Sequence, residues 1–242
     1  MTQEPITEPT EPVQNSQLRM AFYIDGFNLY HALDELDINE NYCKWLNLYK
    51  LAEYFGRKYN ACLEKVVFCT ASPKHKSSSV IDRHERYIKA LKYSGVCVKS
   101  GRFLPIEKEC KAQYCGNKWN EYSEKEGDVN LAVSLVEDAY NDVYDIAFLL
   151  TSDSDQRPSI ESVNKIPNKQ VVMTYPNWRK ETTASSDLAN ECNKGYKHID
   201  KNSEPITIAI VKQCLFQAIV EDKLGRSNFY PVRRPREYDP PR

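Results

Sequence analysis

Ala21-Phe22-Tyr23-Ile24-Asp25-Gly26 is the stretch on which the reading of this chain turns: four apolar residues in a row, then an acid and a glycine. A short unbroken apolar run belongs to a strand buried on both faces, as strands of parallel sheets are. Working outward, Asn28 to Leu36 reads as a helix, and Leu48, Leu51, Ala52 and Phe55 fall at the three-to-four spacing of a second helix that stops near Gly56. Lys65 to Thr70 predicts the next strand. Val80, Ile81, Tyr87, Ile88 and Leu91 then mark a helix ending before Gly95, and Gly95-Val96-Cys97-Val98 begins a third strand. Residues 104–125 break the rhythm with mixed charge, Cys110, Cys115, Gly116 and Trp119, and read as an insertion or hairpin outside the core. Beyond it, Leu131, Ala132, Leu135, Val136 and Ala139 define a helical face, and Ile146 to Leu150 a fourth strand. Ile160 and Val163 mark a short helix, and Val171 to Thr174 a fifth strand. Strand and helix alternate, which predicts a central, mainly parallel five-stranded sheet with helices on both faces. Pro205 to Leu224 is expected to add one helix, and Arg226 to Arg242, rich in Pro and Arg, has little capacity to pack.

The 242 residues are 41% apolar and 28% charged, ordinary globular values that argue against whole-chain disorder, collagen and disulfide miniproteins. Residues 1–18 carry Glu4, Glu8 and Glu11 among prolines and polar residues, with neither a basic start nor an apolar stretch, so a disordered tail and a cytoplasmic protein are expected. In that compartment the eight cysteines are read as thiols or metal ligands and not as disulfides. No apolar run approaches the roughly 18 residues that span a bilayer, so no membrane partner is expected. The net charge of −1 announces no nucleic-acid partner in bulk; any such site must be a local basic patch.

Asp25 ends the first strand, and Asp153 and Asp155 follow the fourth in Leu149-Leu150-Thr151-Ser152-Asp153-Ser154-Asp155. Open parallel sheets bind ligands beyond the carboxyl ends of their strands, where the strand order reverses. Asp128 lies one turn before Ala132, at the head of its helix face, and Asn28 lies three residues after Asp25. Two carboxylates 4 Å apart repel by about 4 kcal/mol at an effective dielectric near 20, so such a cluster calls for protonation or a cation. All-oxygen donors without histidine suit Mg²⁺ or Mn²⁺. By the same repulsion, Asp25→Asn is expected to leave the fold intact.

These residues carry a resemblance. Tyr23-Ile24-Asp25-Gly26-Phe27-Asn28-Leu29-Tyr30, Gly127-Asp128-Val129-Asn130-Leu131-Ala132 and Thr151-Ser152-Asp153-Ser154-Asp155 look like the three signatures of NYN domains of the LabA-like group, relatives of PIN-domain ribonucleases. The resemblance implies a PIN-like three-layer α/β/α sandwich over residues 19–200; the insertion near 104–125 and a C-terminal extension with a basic tail over 201–242 are read from the residues themselves. It also implies a Mg²⁺-dependent endoribonuclease in which Asp25, Asp128, Asp153 and Asp155 are the metal carboxylates and Asn28 a supporting polar group. The expected partner is RNA, single-stranded or structured, and homo-oligomerisation stays open. Ser152 stands where relatives often have Gly, and Gln156 where an apolar residue is usual. The alternative is therefore a catalytically silent RNA-binding or scaffold protein of the same family. A haloacid-dehalogenase-like phosphatase would need a second Asp at the place Phe27 occupies.

Lys74, His75, Lys76, Lys99, Arg102, Arg226, Arg233, Arg234 and Arg236 are candidate phosphate contacts, and Trp119 or Tyr122 could stack a base. The four histidines are scattered, and the glycines form neither a Walker A nor a dinucleotide-binding pattern. Cys110-x4-Cys115 resembles half of a zinc knuckle with no second pair to complete it. Replacing both cysteines by Ser is expected to change the rate of RNA cleavage by less than about threefold, a barrier change below about 0.7 kcal/mol. A folded double variant that has lost cleavage would place the insertion's tip in the chemistry.

Overall fold

Leu18–Asp25 forms the first strand, β1, and every residue from Met20 to Asp25 along it is buried. The structure, a computed structural model, describes residues 17–112, 114–178, 186–222 and 230–241; the expected tail lies outside the described residues apart from Gln17 and Leu18, as does Arg226. After β1 come α1 (Gly26–Asp34), a 3-10 turn (Ile38–Trp45), α2 (Leu48–Lys58), β2 (Ala61–Ala71), α3 (Ser78–Tyr93), β3 (Cys97–Glu109), β4 (Lys118–Lys125) and α4 (Gly127–Tyr140). Then follow β5 (Ile146–Leu150), a short turn (Ser154–Gln156), α5 (Arg157–Val163), β6 (Gln170–Pro176), α6 (Ser186–Cys192), β7 (Ser203–Ile206), α7 (Ile208–Gln213) and a small ribbon of β8 (Ile219–Val220) and β9 (Val232–Arg233).

The main sheet runs β4-β3-β2-β1-β5-β6-β7 and is parallel except for the β3–β4 pair. Alternation along β1 sorts its side chains between two cores. Phe22 and Ile24 join Leu51 and Phe55 of α2, Leu91 of α3 and Phe148 on one face. Tyr23 joins Leu131 and Leu135 of α4, Ile160 of α5 and Leu188 of α6 on the other. Each such buried side chain stabilises the fold by about 1.5–3 kcal/mol relative to exposure. The result is the three-layer α/β/α sandwich. β1 sits at its centre, with β2 and β5 on either side, so the chain reverses direction across the sheet between β1 and β5.

Seven strands stand where five are expected. β4 pairs with β3 from Arg102↔Lys125 to Glu109↔Lys118, so residues 104–125 are a hairpin that prolongs the sheet. Its residues are largely exposed, so no buried run marks it in the sequence. β7 is four residues long with Pro205 inside, tolerable only because it lies at the sheet edge. The single helix expected over Pro205 to Leu224 is instead this strand followed by the six residues of α7, capped by the Thr207 hydroxyl, which accepts from Ile210 N at 3.2 Å.

The described part of the C-terminal segment also packs, contrary to expectation. Val220 and Val232 are buried in the same core as Phe22, Trp45 Nε1 donates to the Gln217 carbonyl at 2.9 Å, and Glu237 pairs with Arg83 at 2.8 Å. A few apolar residues scattered among Arg and Pro suffice, and they leave no periodic signal. Among the described residues, no helix is long and apolar enough to cross a membrane. Val232→Asp is expected to lower unfolding free energy by at least about 2 kcal/mol, because it buries a carboxylate without a partner. Urea denaturation would show it; an unchanged midpoint would mean that this segment contributes nothing to the core.

Candidate acidic site

Asp25 is the last residue of β1 and only 6% exposed. Its Oδ1 accepts from the backbone N–H groups of Phe27 (3.0 Å) and Asn28 (3.1 Å), which caps α1. Its Oδ2 accepts from the Asn28 side-chain amide and from the Thr151 hydroxyl, the latter at 3.0 Å. The turn into α1 is tight. A Cβ on Gly26 would lie 2.8 Å from the Phe68 ring and closer still to the Cys69 carbonyl oxygen, so only glycine fits there.

Beyond β5 the loop is built on the same residues. The Asn28 amide oxygen accepts from Ser152 N at 3.2 Å, the Thr151 hydroxyl from Asp153 N at 3.1 Å, and Asp153 Oδ1 from Asp155 N at 2.9 Å. Ser152 therefore serves through its backbone. Gln156 is buried, and its Nε2 donates to the Asp128 carbonyl at 2.9 Å, tying this loop to the first turn of α4. Its Oε1 faces the Ser159 hydroxyl at 3.3 Å. The departure from an apolar residue at 156 thus has a use: it fixes one acid-bearing element against another.

Asp128 sits in the first turn of α4, and its carboxyl is pushed above the usual aspartate range by partial burial and then by Asp25, Asp153 and Asp155. Asp25 at the end of β1, Asp153 and Asp155 after the neighbouring β5, and Asp128 tied to that loop through Gln156 lie around one end of the sheet. A fifth joins them from the hairpin. Glu124 accepts from Gly127 N at 2.9 Å through Oε1, and its carboxyl is raised by burial, then by Asp128, Asp25 and Glu126. Between them, Glu126 takes a left-handed φ of 80°, a conformation that costs a non-glycine residue about 1–2 kcal/mol. Burial, followed by Asp25, also pushes the Cys69 thiol up to about 12, so it is no nucleophile at neutral pH. Sequence reading missed Glu124, Thr151 and Gln156 as site residues. The available signal for Glu124 was an acid three residues ahead of a helix-opening glycine.

The basic candidates divide. Arg102 pairs with Glu126 at 2.9 Å and Arg234 with Asp239 at 2.9 Å, whereas Lys74, Lys76 and Lys99 are exposed and make no ion pair among the described residues. Cys110 and Cys115 are free thiols at the hairpin tip. Among the described residues, no group of three or more His, Cys, Asp or Glu is gathered tightly enough to hold a metal ion. The donor chemistry nonetheless fits a hard cation, because the carboxylates repel one another and Mg²⁺ keeps its waters, needing only one or two protein carboxylates.

A parallel sheet with acids crowded at the reversal between its central strands defines a PIN-like α/β protein. Residues 19–200 match the NYN domain model, and the chain belongs to the NYN domain family. No curated protein matches the sequence. A crystal structure of a protein of unknown function from Vibrio parahaemolyticus aligns with 15% identity and a TM-score of 0.46, covering 81% of this chain and 95% of that one.

A raised carboxyl pKa has a definite sign in stability. Between the ordinary values of 3.8 for Asp128 and 4.5 for Glu124 and their raised values, the folded state holds more protons than the unfolded, so stability falls as pH rises through that window. Asp128→Asn and Glu124→Gln are each expected to flatten this fall and to raise the melting temperature at pH 7 in chelator. Thermal melts from pH 3.5 to 7 check it; variants melting below the parent protein at pH 7 would mean that these carboxylates are stabilised by their surroundings.

Proposed function

We propose that the chain is a divalent-metal-dependent endoribonuclease, with Mg²⁺ or Mn²⁺ as its ion. The observation that supports this most is the convergence of Asp25, Asp128, Asp153 and Asp155 at the sheet's reversal point in a member of the NYN family. One or two of Asp128, Asp153 and Asp155 would hold the ion, with water filling its remaining positions and Asp25 behind them. When bound, the ion neutralises phosphate charge and orients a hydrolytic water. Asn28 has a positioning role: its amide joins the Asp25 carboxylate to the Ser152 backbone and so sets the distance between the two acid-bearing strand ends. Glu124 presents Oε1 to Gly127 N, and its raised pKa suits its carboxyl to exchange a proton during cleavage. Lys74 and Lys76, which follow the carboxyl end of β2, and Lys99 of β3, which pairs with Cys69, would give the incoming strand cationic contacts.

One observation favours the silent, RNA-binding alternative: both Asp25 oxygens are already engaged by donors of the chain itself. Cleavage of end-labelled RNA in Mg²⁺ or Mn²⁺ separates the readings. Asp153→Asn and Asp128→Asn are expected to reduce cleavage by at least about 100-fold with the fold intact, a barrier increase near 2.7 kcal/mol. RNA that is bound but left whole by parent and variants alike would establish the alternative. Asp25→Asn is a different test. Its new amide N–H₂ would meet donors where the carboxylate accepts, so it should destabilise the fold by about 1–3 kcal/mol, against the sequence-based expectation of an intact fold.

A further inference from the structure

A cavity of about 450 Å³ opens beside the acids, within the range of roughly 300–1,000 Å³ that small-molecule sites occupy. Phe27 belongs to both places: its N–H is bonded to Asp25, and its ring lines the cavity. From Phe27 an aromatic wall continues across three elements. The Phe27 and Phe103 rings meet edge-on with centroids 5.7 Å apart, Phe103 and His75 at 4.6 Å, and His75 lies parallel to Tyr122 at 4.3 Å and 7°. In the β3–β4 ladder, Phe103 faces Glu124, and Pro105 faces Tyr122, which puts these four side chains on one face of the hairpin. That face therefore carries both the fifth carboxylate and half of the aromatic wall.

Two polar features say what kind of occupant suits the cavity. His75 lines the cavity, and its Nδ1 is buried and makes no hydrogen bond, a polar group left without a partner in the wall. Burial and then Lys76 hold this imidazole below its ordinary pKa, so at neutral pH it can donate or accept according to tautomer. Lys74 and Lys76, on the loop that carries His75, make no ion pair among the described residues. A flat π-system with hydrogen-bonding edges, attached to an anionic backbone, matches all of these features; a hydrocarbon matches only the wall.

We propose that this cavity holds one nucleobase of a bound RNA strand, against the wall of Phe27, Phe103, His75 and Tyr122, while the adjoining phosphate lies at the acids. The base site rests on the nuclease reading for its substrate class but not for its existence, since base binding needs no turnover. It gives the protein a means of selecting where along a strand the acids are presented.

The test uses the full chain carrying Asp153→Asn and a single-stranded RNA of about eight nucleotides, read by fluorescence anisotropy. A series of the same RNA with one abasic position is run alongside. His75→Ala and Tyr122→Ala are each expected to weaken binding of the intact RNA about tenfold. One abasic position should weaken binding to the parent protein by a similar factor and have little effect on the His75→Ala protein. Trp119→Ala, on the opposite face of the hairpin, should bind within about twofold of the parent. The site is overturned if His75→Ala and Tyr122→Ala bind as the parent does, if no abasic position couples to His75, or if the RNA does not bind. The cleavage assay with the unsubstituted chain keeps the two readings apart. Coupling without cleavage upholds the base site and removes the nuclease; cleavage without coupling does the reverse.

Discussion

The carboxylate of Asp25 holds four hydrogen bonds, and through them the end of β1, the start of α1 and the start of the loop after β5 become one unit. A buried carboxylate is stable only when its lone pairs are met, and here they are met by groups from both sides of the sheet's reversal point. The arrangement fixes Asn28, Asn28 fixes Ser152, and the turn that follows orients Asp153 and Asp155. Asp153 and Asp155 are placed relative to Asp25, and Gln156 ties the same loop to Asp128. Asp25 is thus more a foundation than a reagent, and the reactive character of the site falls to the more exposed acids around it.

Much of this was legible in the sequence, for physical reasons. The runs at Ala21 to Ile24 and Ile146 to Leu150 are buried on both faces, so composition alone marks them, and an acid directly after such a run has few places to go but the strand end. The adjacency of β1 and β5 follows from the reversal that such sheets contain, and the register bears it out, with Ile24 opposite Leu150. What stayed hidden lacks a buried face. Residues 104–125 were legible as an insertion or hairpin but not as strands of the sheet, because they have no buried run and no regular alternation, and β7 has four residues and a proline. Glu124 was missed although its spacing to Gly127 is local, because what brings it to the other acids is the pairing of the hairpin with the sheet. Gln156 was visible as an oddity, but its partner is a backbone carbonyl 28 residues away.

The two ends of the sheet solve charge differently. At the amino ends, Arg19 and the buried Lys169 neutralise Asp142 and Asp145, and Lys65 and Tyr23 both bond Asp138. The Arg19 and Lys169 contacts hold Asp142 and Asp145 below the usual aspartate range. At the carboxyl ends the shifts of Asp128 and Glu124 run the other way. One end is a set of closed ion pairs that contributes to the fold; the other retains unbalanced negative charge, which a protein keeps only where something else is to complete it.

The wall of the cavity beside the acids is assembled from both extremes of the described chain: Phe27 near its beginning and Tyr238 near its end. During synthesis the acids of β1, α4 and β5 can come together as soon as the central sheet forms. Tyr238 emerges much later, and only after the C-terminal segment has crossed back to α3 through Glu237 and Arg83. A chain still on the ribosome would carry the charged part of the site with its neighbouring cavity unsealed. Maturation of this protein thus has an order imposed by the direction of translation: the aromatic wall and the acids first, the closing of the cavity by Tyr238 last.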